Sequence, residues 1–334
     1  MYELLGFCLA LVALLAFNAF ASLMAAALWR ALGRFTHRWS AITKANVLFT
    51  LRILPPASAA LCVLMLVAPA YIEHEPRITT ETVSLKLAAM AFISVMGLML
   101  ALWRGFVTWR ATQRLVADWL RHAEPISLEN ISIPAYRVTH RFPIVAVVGA
   151  FRPRLFIADQ IFDTLSAEEL RSVVAHEYGH LAARDNFKRA LVRACRDVLM
   201  IVPCGRSLDS AWAESAESAA DEYAACAGGP QGTLDLAGAM IKIARAVPLG
   251  AKPTLPAGAF LLDRADGEVV RRVRRLTELA TTVDTHQSRR AFFSSLILWS
   301  ALSLMLIAVF LMVTNTQILM HTHDGIERIV SALQ

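Results

Sequence analysis

The segment Val173-Val174-Ala175-His176-Glu177-Tyr178-Gly179-His180-Leu181-Ala182 sets a His-Glu-x-x-His pattern inside an apolar-periodic run. It follows Ser166-Ala167-Glu168-Glu169-Leu170, where Ser166 is expected as a helix N-cap and Glu169 as its capping-box partner. Leu170, Val173, Val174, Glu177 and Leu181 continue at helical spacing, so the segment is predicted to be an α-helix. Residues four apart lie one turn apart on the same helix face. Both imidazoles can therefore reach a single Zn²⁺, with Glu177 beside them to take a proton from water. Two histidines are too few, because a catalytic zinc ordinarily takes three protein ligands and keeps one open position. The third is expected in or near Glu217-Ser218-Ala219-Ala220-Asp221-Glu222. Chemistry alone leaves Glu217, Glu214 and Asp221 open, since one carboxylate of such a pair can bind metal while another orients a ligand histidine through its second ring nitrogen. The non-functional alternative is a pair of histidines satisfied by ordinary surface hydrogen bonds.

The chain around this segment is too apolar for an ordinary soluble enzyme: 56% of its 334 residues are hydrophobic and the mean hydropathy is +0.49. Residues 4–28 form a nearly unbroken apolar run with only Asn18 and Ser22 polar within it. A signal peptide fits poorly, because Glu3 precedes the run and Arg30, Arg34 and Arg38 follow it. A second run, 47–72, contains Arg52, read as snorkelling toward the side of Lys44, and Pro55-Pro56, expected to kink or break the helix. A third run covers 85–103 and a fourth 291–313, with Trp103, Trp109 and Trp119 placed as interfacial anchors after the third. The link after the first run is basic and the link after the second is net acidic (Glu73, Glu75 and Glu81 against Arg77). The positive-inside rule then puts the N-terminus outside and residues 105–290 in the cytoplasm.

The expected organisation is three transmembrane helices in 1–104, a cytoplasmic enzyme domain in 105–290, a fourth transmembrane helix at 291–313 and a short external tail, 314–334. The net charge of +6 is explained by basic loops rather than by nucleic acid. The five cysteines have no CxxC spacing and read as free thiols. Within the insert, 131–133, 144–148 and 154–157 read as strands, with 154–157 the candidate sheet edge for an extended peptide. Residues 190–202 are predicted to be a helix on the domain core or at the membrane surface, and Gly228-Gly229-Pro230 to end the second motif helix. Residues 248–266 read as a loop bordering a substrate groove, and 269–279 as a basic amphipathic helix whose arginines belong to the membrane flank.

The His176–His180 motif, Arg184-Asp185 soon after it and the later Glu-x-x-Ala-Asp segment resemble the glutamate-zincin membrane peptidases. That resemblance implies Glu217 as the third ligand. The layout of runs, with Phe151-Arg152-Pro153-Arg154 and Leu165-Ser166-Ala167-Glu168-Glu169-Leu170, resembles the BlaR/MecR-type metallopeptidases (peptidase family M fifty-six) over about residues 1–315. Only about twenty residues follow the fourth run, so the penicillin-binding sensor of that group is not carried over. The nearest relatives are the HtpX/Ste24-like peptidases, from which three leading runs and a charged segment between the motif helices separate this chain. The resemblance implies an α-helical multi-pass protein of a bacterial inner membrane with a cytoplasmic α+β zincin (gluzincin-like) metallopeptidase domain. It would be a zinc metalloendopeptidase with one Zn²⁺ on His176, His180 and Glu217. Glu177 would be the general base and Asp221 would support the ligands; Arg184, at the end of the first motif helix, reads either as a partner of a carboxylate near the site such as Asp221, in which case it supports the ligands too, or as part of a solvated charged pair. Tyr223, Arg184 and His140 are the candidates for oxyanion support. Its expected partners are a protein or peptide substrate, the lipid bilayer and a separate sensor or regulatory protein, with no nucleic acid. The expected role is cleavage of a regulatory protein at the cytoplasmic face. The alternatives are HtpX-like quality control of membrane proteins and an inactive signalling scaffold; a transporter is disfavoured because Asn18 is the sole polar amide in mid-membrane.

Overall fold

The computed structural model describes residues 2–33, 35, 36, 39–76, 83–128, 131–198, 205–247, 266–282, 300, 303, 304, 307, 311 and 315–333. Among the described residues, three helices are long and apolar enough to cross a membrane: Tyr2–Leu32, Ala41–His74 and Leu85–Arg121. The first is α1. The second is α2 (Ala41–Cys62), a π-helical turn (Val63–Val67) and α3 (Ala68–His74) in direct succession, so Pro55-Pro56 do not break it. Ser58 Oγ donates to Pro55 O at 3.0 Å there. The third is α4, which continues as one helix well past the expected apolar run. Leu5, Cys8, Leu9, Leu11 and Val12 of α1 pack with Val67, Tyr71, Leu87 and Ala91. The closest approach is at Gly6, where a Cβ would stand 2.6 Å from the Tyr71 ring. Ser94 Oγ of α4 donates to Leu11 O of α1 at 2.9 Å, satisfying a hydroxyl that lipid could not.

Arg52 does not snorkel. It is buried, and its Nε donates to Asp209 Oδ1 at 2.8 Å. Asp209 is carried in by α8 (Gly205–Ala246), which packs along α2 and also receives the backbone N–H of Ala41 on Glu222 Oε2 at 3.2 Å. α8 is thereby fixed to the second span by one buried ion pair and one charge-assisted hydrogen bond, and removing one partner of the Arg52–Asp209 pair would strand a buried charge.

The remaining core lies in a small mixed sheet. Strands β1 (Glu124–Ile126), β2 (Ala135–Val138), β3 (Val145–Val148) and β4 (Arg154–Ala158) have spatial order β1-β2-β4-β3, with β2 and β4 parallel and the other pairs antiparallel. The expected edge strand over 154–157 is therefore interior, and the edges are β1 and β3. Residues 131–133 are not a strand. The short helix α5 (Asp159–Thr164) leads into α6 (Ala167–Ala182), which starts with the predicted capping box at Ser166 and Glu169. Phe156, Ile157, Ile144, Val173, Leu236, Met240 and Leu276 join strands and helices in one core. α7 (Asp185–Val198) packs on α4 and α2. Within α8 the expected helix end is a kink at Gly229, whose φ of 64° suits glycine alone, and the helix resumes after it. α9 (Asp266–Thr282) lies on α8, with Leu276 and Arg272 buried. α10 (Thr316–Leu333) packs against α3, where the His323 and His74 rings stack at 5.6 Å. The expected loop 248–266, apart from its last residue, which begins α9, and most of the fourth apolar run, 291–313, lie outside the described residues.

Candidate metal centre and active site

α6 presents His176 and His180 one turn apart, their ring centroids 4.9 Å apart and their planes nearly perpendicular. α8 crosses against α6 so closely that a Cβ on Gly179 would come within 3.0 Å of Ala220 Cα and 3.1 Å of Tyr223 Cβ. This contact brings Glu217 up to the two rings. Its Oε2 lies 3.7 Å from His176 Nε2 and its Oε1 3.6 Å from His180 Nε2. The three donor groups lie within 4.8 Å of one another. Ligands at about 2.1 Å around a tetrahedral zinc stand roughly 3.4 Å from each other, so little movement is needed to close on an ion. Glu217 Oε2 is buried and makes no aligned hydrogen bond, its nearest cation being Arg272 Nη1 at 3.3 Å, so it is open to a metal ion. Two nitrogens and one carboxylate fit zinc, and the site can hold one metal ion. Glu214 is more than half exposed and faces Arg271 at 3.3 Å, away from this set.

Each histidine has a carboxylate behind it. His180 Nδ1 and Asp185 Oδ2 are 2.7 Å apart, and His176 Nδ1 stands 3.0 Å from Asp221 Oδ1. The Asp185 carboxylate fixes His180 Nδ1 as the protonated nitrogen and leaves Nε2 for metal, and Asp221, at ion-pair distance from His176 Nδ1 but without an aligned hydrogen bond, is placed to orient that ring in the same way. Asp221 is held in turn by Arg272 of α9, Nη2 to Oδ1 at 2.6 Å and Nε to Oδ2 at 3.0 Å. The same guanidinium puts Nη1 at 3.3 Å from Glu217 Oε2 and Nη2 at 3.4 Å from His176 Nε2. Burial by itself would raise the Asp221 carboxyl, but Arg272 first and His176 next outweigh it and hold it at about 2. Burial would likewise pull His180 down, yet the Glu217 and Asp185 carboxylates push it up to about 10. Glu217 is held well below the usual carboxylate range against burial, by His180, His176 and Arg272. Against the pull of burial, the surrounding carboxylates raise the pKa of both imidazoles, so the same negative charge that favours ring protons there favours a divalent cation in their place.

Glu177 is buried, and its Oε2 accepts from Val147 N of edge strand β3 at 3.1 Å. Burial raises its pKa above the ordinary carboxylate value, against the pull of His180 and His176. Asn186 Nδ2 donates to Val147 O at 2.8 Å, so both backbone polar groups that Val147 turns to the free edge are met by residues at the site. The cavity over the metal position is lined by Val147, His176, Glu177, His180, Asp185, Asn186, Arg189 and Glu217.

The structure thus brings together His176, Glu177, His180, Glu217 and Asp221. Arg184 does not reach Asp221: it is exposed, in a left-handed turn at φ 54° that ends α6. Tyr223 stacks on Tyr178 and His140 packs on Trp119, and neither lines the cavity. Sequence reasoning missed Asp185 as an orienting carboxylate, Asn186 and Arg189 as lining donors, and Arg272 altogether. Arg272 carries a signal in its place on the apolar side of α9, three residues after Val269 and four before Leu276, where a solvated arginine would not sit.

Residues 146–329, more than half of the chain, match Peptidase family M48. No curated protein matched the chain. The match overturns the resemblance to the BlaR/MecR-type group (M fifty-six) and agrees with the HtpX/Ste24-like relatives. The two groups share the His-Glu-x-x-His pattern and a downstream carboxylate, and the count of leading spans was the wrong discriminator between them.

Proposed function

We propose that this chain, which belongs to peptidase family M48, is an integral-membrane zinc endopeptidase that degrades damaged or misfolded membrane proteins. It acts at the cytoplasmic face of a bacterial inner membrane. The observation that carries the reading is the convergence of His176, His180 and Glu217 beside Glu177 in a cavity built partly by α8, the helix that packs along the second span. Zinc, when bound there, supplies a Lewis acid that polarises the scissile carbonyl and acidifies water. His176, His180 and Glu217 hold it, and Asp221 and Asp185 keep the two rings in the metal-binding tautomer. Glu177, anchored through Oε2 by Val147 N–H, accepts the water proton on Oε1 and passes it to the leaving amine. Its raised pKa makes Glu177 a stronger base toward the water, and the departing amine, more basic still, can take the proton back from it. Asn186 and Arg189 are the lining donors that replace Tyr223, Arg184 and His140 as support for the oxyanion.

The quality-control reading is favoured over cleavage of one regulator because the family match points to the HtpX-like relatives. Substrate capture tests it: a Glu177→Gln protein expressed in place of the wild type is expected to retain a broad set of misfolded membrane proteins. Recovery of one soluble DNA-binding protein alone would instead support the regulator reading.

Orientation, the limits of the domain (105–290) and the fourth span (291–313) belong to the same proposal. α8 meets the second span at Ala41 and Arg52, near its start, whereas α10 meets it at His74, its other end. Residues 283–315 must connect these two ends, which supports a fourth crossing. Reporter fusions after residues 40, 240 and 334 are expected to read cytoplasmic, cytoplasmic and external. An external signal at 240 would reverse the topology.

A further inference from the structure

A second, larger cleft leads out of the metal cavity. It shares Val147, Asn186 and Arg189 with that cavity and extends for about 960 Å³ between β3, α7 and the part of α4 where the third span leaves its apolar stretch. Five arginines line it, Arg104, Arg152, Arg154, Arg189 and Arg193, and no aspartate or glutamate does so among the described residues. The arginines come from four separate segments: α4, the turn before β4, β4 itself and α7. Such an arrangement is not the solvated stripe of a single helix. A cleft with walls of one sign focuses its field along its length and concentrates groups of the opposite sign. Arginine also pairs carboxylates in two-pronged geometry more selectively than lysine does.

We propose that this cleft receives the polypeptide on one side of the scissile bond and selects acidic side chains there, so that the enzyme prefers Asp- and Glu-rich segments next to the membrane surface. The proposal rests on the peptidase reading above and names its substrate class. The contiguous path favours a peptide over an anionic lipid. A lipid headgroup would engage Arg104 with Trp103 and Trp109 at the rim and gain nothing from Arg189, Asn186 and Val147. A peptide whose carbonyl is at the metal cavity must pass those three residues. Arg152 is exposed, so it meets substrate without disturbing the core, whereas Arg189 faces Glu217 at 3.8 Å and is unsuited to a specificity test.

The test uses the full-length, zinc-loaded protein in nanodiscs of zwitterionic phosphatidylcholine and three internally quenched peptides. These have one neutral core and flanks of Glu, Gln or Lys. With roughly 2- to 5-fold per partly exposed charge pair and two pairs formed, kcat/KM for the Glu peptide should exceed that for the Gln peptide about tenfold. The Lys peptide should fall below both, and added salt should narrow the spread. The readout is the Glu-to-Gln ratio within each protein, so a general loss of active enzyme cancels. That ratio should fall toward one both in Arg152→Gln/Arg193→Gln and in Arg152→Glu, where one repulsion offsets the pair that remains. Zinc content and the thermal midpoint report folding, and the single Arg152→Glu surface change keeps the test valid if the double variant folds poorly. Equal kcat/KM for the three peptides, or a ratio that neither variant moves, would overturn the acidic preference and leave the peptidase intact. A preference seen only with phosphatidylglycerol in the nanodisc would assign the arginines to lipid and overturn it too. Failure of the zinc-loaded protein to cut any of the three would sink the peptidase reading, and this inference with it.

Discussion

Glu177→Gln is expected to lower kcat by about a thousandfold while the protein still holds about one zinc per chain. Glu177 contributes no donor to the group formed by His176, His180 and Glu217, and its bond to Val147 N can be kept by an amide oxygen. What the amide cannot do is accept the water proton. The companion variant separates binding from chemistry: Glu217→Ala removes one of the three donors, so zinc content and activity should fall together. Glu214→Ala should change neither, since Glu214 lies on the exposed face of α8 against Arg271. Metal analysis and peptide hydrolysis on the same preparations check all three. If Glu177→Gln lost its zinc, Glu177 would be part of the metal site rather than the base. If it kept normal turnover, the proton would have another acceptor.

The juxtaposition of His176 and His180 was legible because the helical period fixes it. Residues four apart share a face whatever the rest of the chain does, and the capping box at Ser166 marked where that helix begins. Glu217 was legible only as one of three carboxylates. What singles it out is the crossing of α6 and α8 at Gly179, a contact between helices that no local pattern carries. The sheet shows the same limit. β3 and β4 are both short apolar runs, and the parallel pairing of β2 with β4, which puts β3 at the edge, is decided by the path of the chain between them. Arg52 and Arg272 failed for a shared reason. Next to apolar runs an arginine reads as a membrane-flank residue, yet each is buried here because a distant helix brings it a carboxylate, Asp209 in one case and Asp221 in the other. The family itself was misjudged on the number of leading spans, a trait that lies outside the matched residues 146–329.

Arg272→Met is expected to destabilise the protein by about 3–5 kcal/mol, on the order of 10 °C in the thermal midpoint. The methionine keeps much of the arginine's length, so the loss is electrical. Asp221, fully buried, would keep its charge with only His176 to face it, and Glu217 would lose the nearest guanidinium. Acid sensitivity gives a second readout. Asp221 is held at about 2 against an ordinary 3.8, so in the wild type its ion pair stabilises the fold fully above about 4, and that contribution is lost as the pH falls from there toward 2. Without Arg272 the carboxyl titrates at higher pH, and the acid limb of unfolding moves upward. Removing both partners should be far milder than removing one, because Asp221→Leu/Arg272→Met leaves no unpaired charge behind. That double variant should regain most of the midpoint and yet bind zinc weakly, since nothing then fixes the tautomer of His176. A single variant within about 1 kcal/mol of the wild type, with an unmoved acid limb, would mean that Arg272 does not carry the charge balance of the centre.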